Sequence, residues 1–297
     1  MSLEFVQVDA FTSRPLFGNP AAVVFDADDL PAPIMQKIAR EMNLSETVFI
    51  LKPTSPDADY RVRIFTPVRE LPFAGHPTVA AAHAMLARST ALVGKRLLRL
   101  ECGIGIVPVD VLPAPDGGKL LRMTQAAPSH KDAGLTAATV AGMLGCDASA
   151  LAATPVEIVS TGVPWLVAEL ADINAISALR PNQGRIAEAC RALRAAGITV
   201  FAERGDSGPV RIRVRTFAPG DGVAEDPVCG SGNGSVAAYL AKHKHAGEAA
   251  GSYLAEQGME IGRDGLVHID WDRAGDALRV RVGGQAAQFA SGHLVLD

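Results

Sequence analysis

The chain carries a faint copy of itself, and that repeat narrows the folds open to it more than any single motif does. Gly75 and Gly230 lie 155 residues apart, and the same offset joins Glu70 to Glu225, Pro72 to Pro227, Ala82 to Ala237, Glu101 to Glu256 and Gly103 to Gly258. Each copy opens on a basic, alternating run, "YRVRIFTP" in the first and "VRIRVRTFAP" in the second. Alternation at period two is the pattern of a strand with one buried face. An acidic-proline turn, a glycine turn and a run of small apolar residues follow in both. A period this long means two duplicated domains, not a solenoid of short units. With 297 residues, 48% of them hydrophobic, the chain can build a sizeable core.

The coarse pattern mixes strands and helices. Residues 3–11, 21–27, 47–52 and 60–66 predict strands. "APIMQKIAREM" (32–42) sets Ile34, Ile38 and Met42 at helical spacing. "FAGHPTVAAAHAML" (73–86) predicts a glycine turn entering a helix, with Pro77 at the first position, where a missing N–H costs little. The helix is apolar nearly all round and therefore belongs inside the protein. "SGNGSVAAYLAKHKH" (231–245) repeats the plan, and its Lys242-His243-Lys244-His245 tail reads as a complement to the C-terminal helix dipole. "LPAPDGG" (112–118) is a turn. "AAPSHKDAG" (126–134) reads as the link between an N-terminal lobe of residues 1–127, to which the last few residues return, and a C-terminal lobe of residues 128–297.

Several function classes are set aside. A formal net charge of −4 without a basic cluster argues against a nucleic-acid or anionic-membrane partner. None of the four cysteines, Cys102, Cys146, Cys190 and Cys229, forms a C-x-x-C pair or zinc-ligand spacing, which fits a reduced compartment. "MSLEFVQVDAF" lacks the regions of a signal peptide, and no uncharged apolar stretch approaches membrane-spanning length. The expectation is a cytoplasmic protein. "GSGNGS" (230–235) lacks the full G-x-G-x-x-G spacing and a leading βαβ unit, no P-loop is present, and the histidines form no H-x-x-x-H or H-E-x-x-H pattern. No metal and no cofactor is expected.

Each glycine turn leads into a helix N-terminus, whose free N–H groups and dipole attract anions; alternatively the glycines only permit tight turns. Function on a duplicated scaffold belongs where the symmetry breaks. Aligning "TVF" at 47–49 with "TVF" at 199–201, an offset of 152, sets Glu46 against Ile198. In the glycine turns Leu71 matches Asp226 and His76 matches Ser231. Glu46 stands just before the apolar run Thr47–Leu51, and two roles are open to it. It caps a strand end, or it is an acid shielded from water that takes and returns a proton.

"NLSETVF" (43–49), "ELPFAGHPTVAAAH" (70–83), "EDPVCGSGNGSVAAYL" (225–240) and "AEQG" (255–258), in that order, resemble the PhzF-like family named for phenazine biosynthesis. The resemblance runs nearly end to end. It implies an α+β fold of the diaminopimelate-epimerase type: two duplicated, pseudo-symmetric domains, each a curved, mostly antiparallel sheet wrapped around a central helix, with the active site between them. It also implies a cofactor-independent isomerase acting on a small carboxylate-bearing molecule, and a homodimer. In the family the glutamate of the N-L-S-E-T motif moves a proton between carbons of 2,3-dihydro-3-hydroxyanthranilate. The resemblance gives Glu46 that role, with His76 and Asp226 beside it in catalysis. Ser45, Gly75, Gly230 and Ser231 would contact the substrate, and Gln257 is a weaker carry-over that supports the site.

One departure matters. Related epimerases place a cysteine at each glycine turn, whereas this chain has Ala74 at the first and Cys229 at the second. A two-base racemisation needs an acid on each face of the carbon, so the two-cysteine route is disfavoured. Rival readings are an epimerase or dehydratase driven by Cys229 alone, and a non-enzymatic binding or scaffold protein that kept the pocket.

Overall fold

Both alternating basic runs are strands, Tyr60–Phe65 and Val210–Ala218, and each is paired with neighbouring strands on both sides. The computed structural model describes residues 2–205, 208–275 and 277–296. The chain divides into two units, Met1–Met123 with Gly283–Asp297, and Thr124–Val282.

The first unit contains β1 (Ser2–Ala10), β2 (Asn19–Val24), α1 (Ala32–Met42), β3 (Glu46–Leu51), β4 (Tyr60–Phe65), β5 (Glu70–Leu71), α2 (Gly75–Arg88), β6 (Leu97–Cys102), β7 (Gly105–Pro113) and β8 (Lys119–Thr124). Along the sheet, β1 pairs antiparallel with β2, β2 parallel with β3, β3 antiparallel with β4, β4 parallel with β6 and β6 antiparallel with β7. The C-terminal strand Ala286–Val295 returns to lie antiparallel on β1. Alternation sorts the side chains of β3 to two faces. Phe49 joins Val24, Met35, Ile38, Ala39 and Phe65 in the core under α1. Glu46, Val48 and Ile50 therefore share the opposite face, the one that carries α2. That helix packs against β1, β2, β3 and the C-terminal strand, and every residue from His76 to Ala82 is buried.

The second unit contains β9 (Ser129–Asp132), α3 (Ala137–Leu144), β10 (Glu157–Ser160), β11 (Pro164–Glu169), α4 (Ile173–Ala178), α5 (Gln183–Leu193), β12 (Gly197–Glu203), β13 (Val210–Ala218), β14 (Val223–Asp226), α6 (Gly230–His243), β15 (Ala250–Gln257) and β16 (Gly265–Ala274). Its strands β10-β11-β12-β13-β15-β16 pair in the same succession: antiparallel, parallel, antiparallel, parallel, antiparallel. The inner helix α6 is buried continuously from Gly232 to Ala241 and packs against β10, β11, β12 and β16. Helices α3, α4 and α5 cover the outer face, in a core with Leu166, Ile198, Val200 and Phe217.

The duplication extends to single contacts. Arg63 grips Glu70 through two bonds of 2.7 Å, and Arg215 grips Glu225 through bonds of 2.8 and 2.7 Å. Arg61 stands opposite Glu101 across its strand pair, as Arg213 does opposite Glu256. The repeated Arg63–Glu70 and Arg215–Glu225 pairs are thus braces of the sheet.

Two local expectations change. The stretch 126–134 is not an open link: Ser129–Asp132 is strand β9, antiparallel to β10. Pro77 occupies the third helical position, because α2 begins at Gly75; the whole first turn lacks intrahelical N–H partners, so proline costs little there as well. The tail of α6 sets Lys242 and His243 in the last turn, as expected of a dipole complement, and also engages it in ion pairs, with Lys242 and His243 on Glu157 and Lys244 on Glu169 and Glu203.

The strand register also corrects the alignment of the two copies. Thr47 pairs with Phe65, whereas Ile198 pairs with Phe217 and Thr199 with Thr216. Since Phe65 and Phe217 are equivalent, Thr47 corresponds to Ile198 and Glu46 to Gly197. The shared "TVF" is one residue out of register, and a slip of one residue exchanges the faces of a strand. The acid still has no acidic counterpart.

Candidate active site

In the first unit β2 and β3 run parallel, with Ala21 beside Glu46, and α2 starts above them. Four polar side chains meet there. Glu46 Oε2 lies 3.0 Å from His76 Nε2. His76 Nδ1 lies 3.3 Å from Asn19 Nδ2, and Asn19 Oδ1 accepts a hydrogen bond of 3.1 Å from the Ser45 hydroxyl. His76 and Asn19 are buried, and the Glu46 side chain is 15% exposed. The Glu46–His76 contact is one of distance: among the described residues Oε2 is buried and finds no donor aligned for a hydrogen bond. A buried carboxylate oxygen without an aligned donor is costly to keep. It is also free to take a proton from a bound molecule. Gly75, the first residue of α2, adds a backbone N–H at a helix start that has no side-chain cap.

In the second unit the glycine turn is built differently. Asp226 ends β14 opposite Thr216, as Leu71 ends β5 opposite Ile64, so these two are structural equivalents. Asp226 Oδ1 accepts the Val228 N–H at 3.1 Å. Gly230 and Ser231 open α6. Ser231 Oγ accepts a 3.0 Å bond from the Trp165 indole N–H. Trp165 is the parallel partner of Gly197, and its ring fills the place a Cβ there would take, 2.7 Å away. The position that holds an acid in the first unit therefore holds a glycine under a tryptophan in the second.

Gln257 is fully buried and occupied with the turn itself. Its Oε1 accepts from Cys229 N at 3.2 Å and from Asn233 Nδ2 at 2.8 Å, while its Nε2 donates to Asp226 O at 2.8 Å. Cys229 is the N-cap of α6, with its sulfur accepting from Gly232 N at 3.3 Å. Burial pushes its thiol well above the ordinary value, and the Asp226 carboxylate adds to the displacement. A reactive thiolate needs the opposite environment, so the geometry weighs against a Cys229-driven reaction. The glycines that follow serve packing: a Cβ on Gly232 would stand 2.6 Å from Thr199 Oγ1. Among the described residues no group of three or more His, Cys, Asp and Glu side chains is placed to hold a metal ion. No helix among them is long and apolar enough to cross a membrane.

The structure thus gathers Ser45, Glu46, Gly75 and His76 at one place in the first unit, and Asp226, Gly230, Ser231 and Gln257 around one turn in the second. Sequence reasoning missed Asn19, Trp165 and Asn233. For Asn19 the only signal was a polar residue opening an otherwise apolar strand, "NPAAVV".

The family described as phenazine biosynthesis-like protein, PhzC-PhzF, matches residues 8–292. A trans-2,3-dihydro-3-hydroxyanthranilate isomerase of Pseudomonas fluorescens is 39% identical over 295 residues, covering 98% of this chain and 99% of its own. The crystal structure of a phenazine biosynthesis protein of the PhzF family from Bacillus anthracis superposes with a TM-score of 0.92 at 29% identity, over the whole of both chains. A hydroxyproline epimerase from Agrobacterium vitis, at 14% identity and a TM-score of 0.61, covers 100% of this chain and 92% of its own. That likeness shows the shared epimerase-like α+β fold.

Proposed function

Because the chain belongs to the PhzC-PhzF family of phenazine biosynthesis-like proteins and is an isomerase, we propose that it moves a proton between carbons of a small carboxylate-bearing metabolite, with Glu46 as the acid–base group. The observation that carries this reading is the buried Glu46 Oε2, 3.0 Å from His76 Nε2 and without an aligned donor among the described residues. A carbon acid gives up its proton only to a base within hydrogen-bond reach, and the charge left behind must be met by fixed donors. Glu46 takes the proton and returns it to another carbon of the same molecule. His76 donates to the oxygen or nitrogen on which negative charge develops.

Asp226 and Ser231 hold and polarise the substrate in this proposal, with Ser45 as a further contact. The N–H groups of Gly75 and Gly230 receive its carboxylate, as helix starts favour anions. Gln257 acts through the turn it braces. A cyclic amino-bearing carboxylate, of the kind the Pseudomonas relatives are named for, is the first substrate to test. The same reading has the reaction run without a cofactor, in a cytoplasmic homodimer.

Glu46→Gln keeps the shape of the side chain and removes the base. In deuterated water the variant should lose solvent exchange into substrate by roughly 10²- to 10⁴-fold, with an unchanged circular dichroism spectrum and retained ligand binding. Full exchange by the variant refutes the assignment. A panel of small amino and hydroxy acids that shows no deuterium uptake with the wild-type chain favours a binding protein instead.

A further inference from the structure

The two glycine-turn helices meet opposite kinds of partner at their second residue. In the first unit that residue is His76, 3.0 Å from the Glu46 carboxylate on β3. In the second it is Ser231, and its partner is the indole of Trp165 on β11, also at 3.0 Å. The strand ladders make the two arrangements reciprocal. Ala21 lies beside Glu46 in the parallel pair β2–β3, and Trp165 lies beside Gly197 in the parallel pair β11–β12. One copy sets a small residue next to an acid, and the other sets a large residue next to glycine. Space enforces the exchange. A Cβ on Gly197 would stand 2.2 Å from Phe217 O and 2.7 Å from the Trp165 ring.

An indole N–H donates and cannot accept. The direction of this bond is therefore fixed, and Ser231 Oγ is the acceptor. One lone pair of the hydroxyl is taken, and its proton is left to point elsewhere. Among the described residues its other hydrogen-bond neighbour is the Cys229 sulfur, at 3.6 Å. That sulfur is a weak acceptor and already takes the Gly232 N–H at 3.3 Å. An oxygen of a bound molecule is the better acceptor. From this we propose that Trp165 is a positioning residue, which holds the Ser231 hydroxyl as a one-way hydrogen-bond donor to an oxygen of the bound carboxylate-bearing molecule. The proposal rests on the reading of Ser231 as a substrate contact. Trp165 is buried, so its N–H stays on Ser231 instead of turning to bulk water. A hydroxyl that accepts a hydrogen bond also donates a stronger one, because bonds in a chain polarise one another.

Nitrogen-15 spectroscopy of the full chain with labelled tryptophan follows the Trp165 indole N–H, assigned by its loss in Trp165→Phe. The probe is anthranilate, a cyclic amino-bearing carboxylate with no aliphatic proton to move. In wild-type protein the indole proton should lie downfield and exchange slowly with solvent, and Ser231→Ala should move it upfield. Anthranilate should carry the wild-type signal further downfield and move that of Ser231→Ala much less. Trp165→Phe keeps a ring and loses the donor, so it should bind anthranilate about 3- to 10-fold more weakly by calorimetric titration, the worth of one hydrogen bond. A ring that only fills space would leave that affinity unchanged. Binding with an unmoved indole signal, or equal affinity in wild type and Trp165→Phe, overturns the proposal. Should Trp165→Phe fail to fold, Trp271→Phe assigns the signal, and the titrations of wild type and Ser231→Ala still decide. No binding of anthranilate by wild type counts against the substrate class and takes the role of Trp165 with it. Full exchange by Glu46→Gln would remove the assignment of the base and leave the Trp165 result standing.

Discussion

Replacing Glu157 with glutamine should weaken the second unit near neutral pH, and the loss should fade in acid. Glu157 opens β10 and is buried. Its Oε2 pairs with His130 Nδ1 at 2.9 Å, and its Oε1 with Lys242 Nζ at 2.7 Å and His243 Nε2 at 3.2 Å. Burial pushes the carboxyl up, but the hydrogen bonds from Lys242, His130 and His243 together outweigh it and hold the group at about 2, against an ordinary value of 4.5. A folded-state value below the unfolded one means that the stabilisation is present above the unfolded value and disappears as pH falls toward the folded value. The window is therefore about pH 4.5 down to about pH 2. A displacement of this size corresponds to about 3 kcal/mol. The Lys242 side chain is 44% exposed, so water screens part of the attraction, and about 1–2 kcal/mol is the expected difference between wild type and Glu157→Gln near neutral pH. The chain has two tryptophans. Both, Trp165 and Trp271, lie in the second unit, so their fluorescence in urea follows that unit. By about pH 3 more than half of the difference should be gone. A stability gap that stays constant from neutral pH to that point, or no gap at neutral pH, would refute the argument.

Other consequences are open to direct measurement. Gly232→Ala places a methyl 2.6 Å from Thr199 Oγ1 and 3.1 Å from Thr216 Oγ1. It should destabilise the second unit by about 1–3 kcal/mol in urea titration; a neutral effect means the helix shifts freely on its sheet. The two equivalent arginine–glutamate braces differ in burial, Arg215 being 6% exposed and Arg63 24%. Arg215→Ala should cost about 3–5 kcal/mol by stranding a buried carboxylate, and Arg63→Ala less than about 1 kcal/mol; equal costs by denaturant titration would contradict the role given to burial. Native Cys229 should resist alkylation at mildly alkaline pH, because burial and then the Asp226 charge raise its thiol. Labelling as fast as that of the denatured chain, read by peptide mass spectrometry, would show an accessible thiolate.

Much of the architecture was legible before any coordinate. The basic alternating strands, the glycine turns and the two inner helices repeat in order, and the periods of strand and helix are local properties of a sequence. Helix α1 falls on the predicted residues 32–42. The break in symmetry at Glu46, His76, Asp226 and Ser231 was visible as well, because it needs only a comparison of the copies. Register was not legible. The identical "TVF" triplets pointed to Ile198 as the counterpart of Glu46, whereas the ladder points to Gly197. Identity of three residues is weaker information than a row of backbone hydrogen bonds, and one residue of error exchanges the faces of a strand. Residues 126–134 looked like a link because they are polar and flanked by proline and glycine. They hold a strand because β10 offers an unpaired edge.

What the sequence by itself determined is the duplicated order of elements and the break in their symmetry at Glu46, since both are written in local pattern and in the differences between the copies. What only the tertiary structure decided is the setting of that acid. His76 lies 57 residues from Asn19, Ser45 lies 26 residues from it, and Ser231 lies 66 residues from Trp165. No periodicity encodes such pairings. They arise when packing buries polar groups that must then find partners among whatever the fold has brought near.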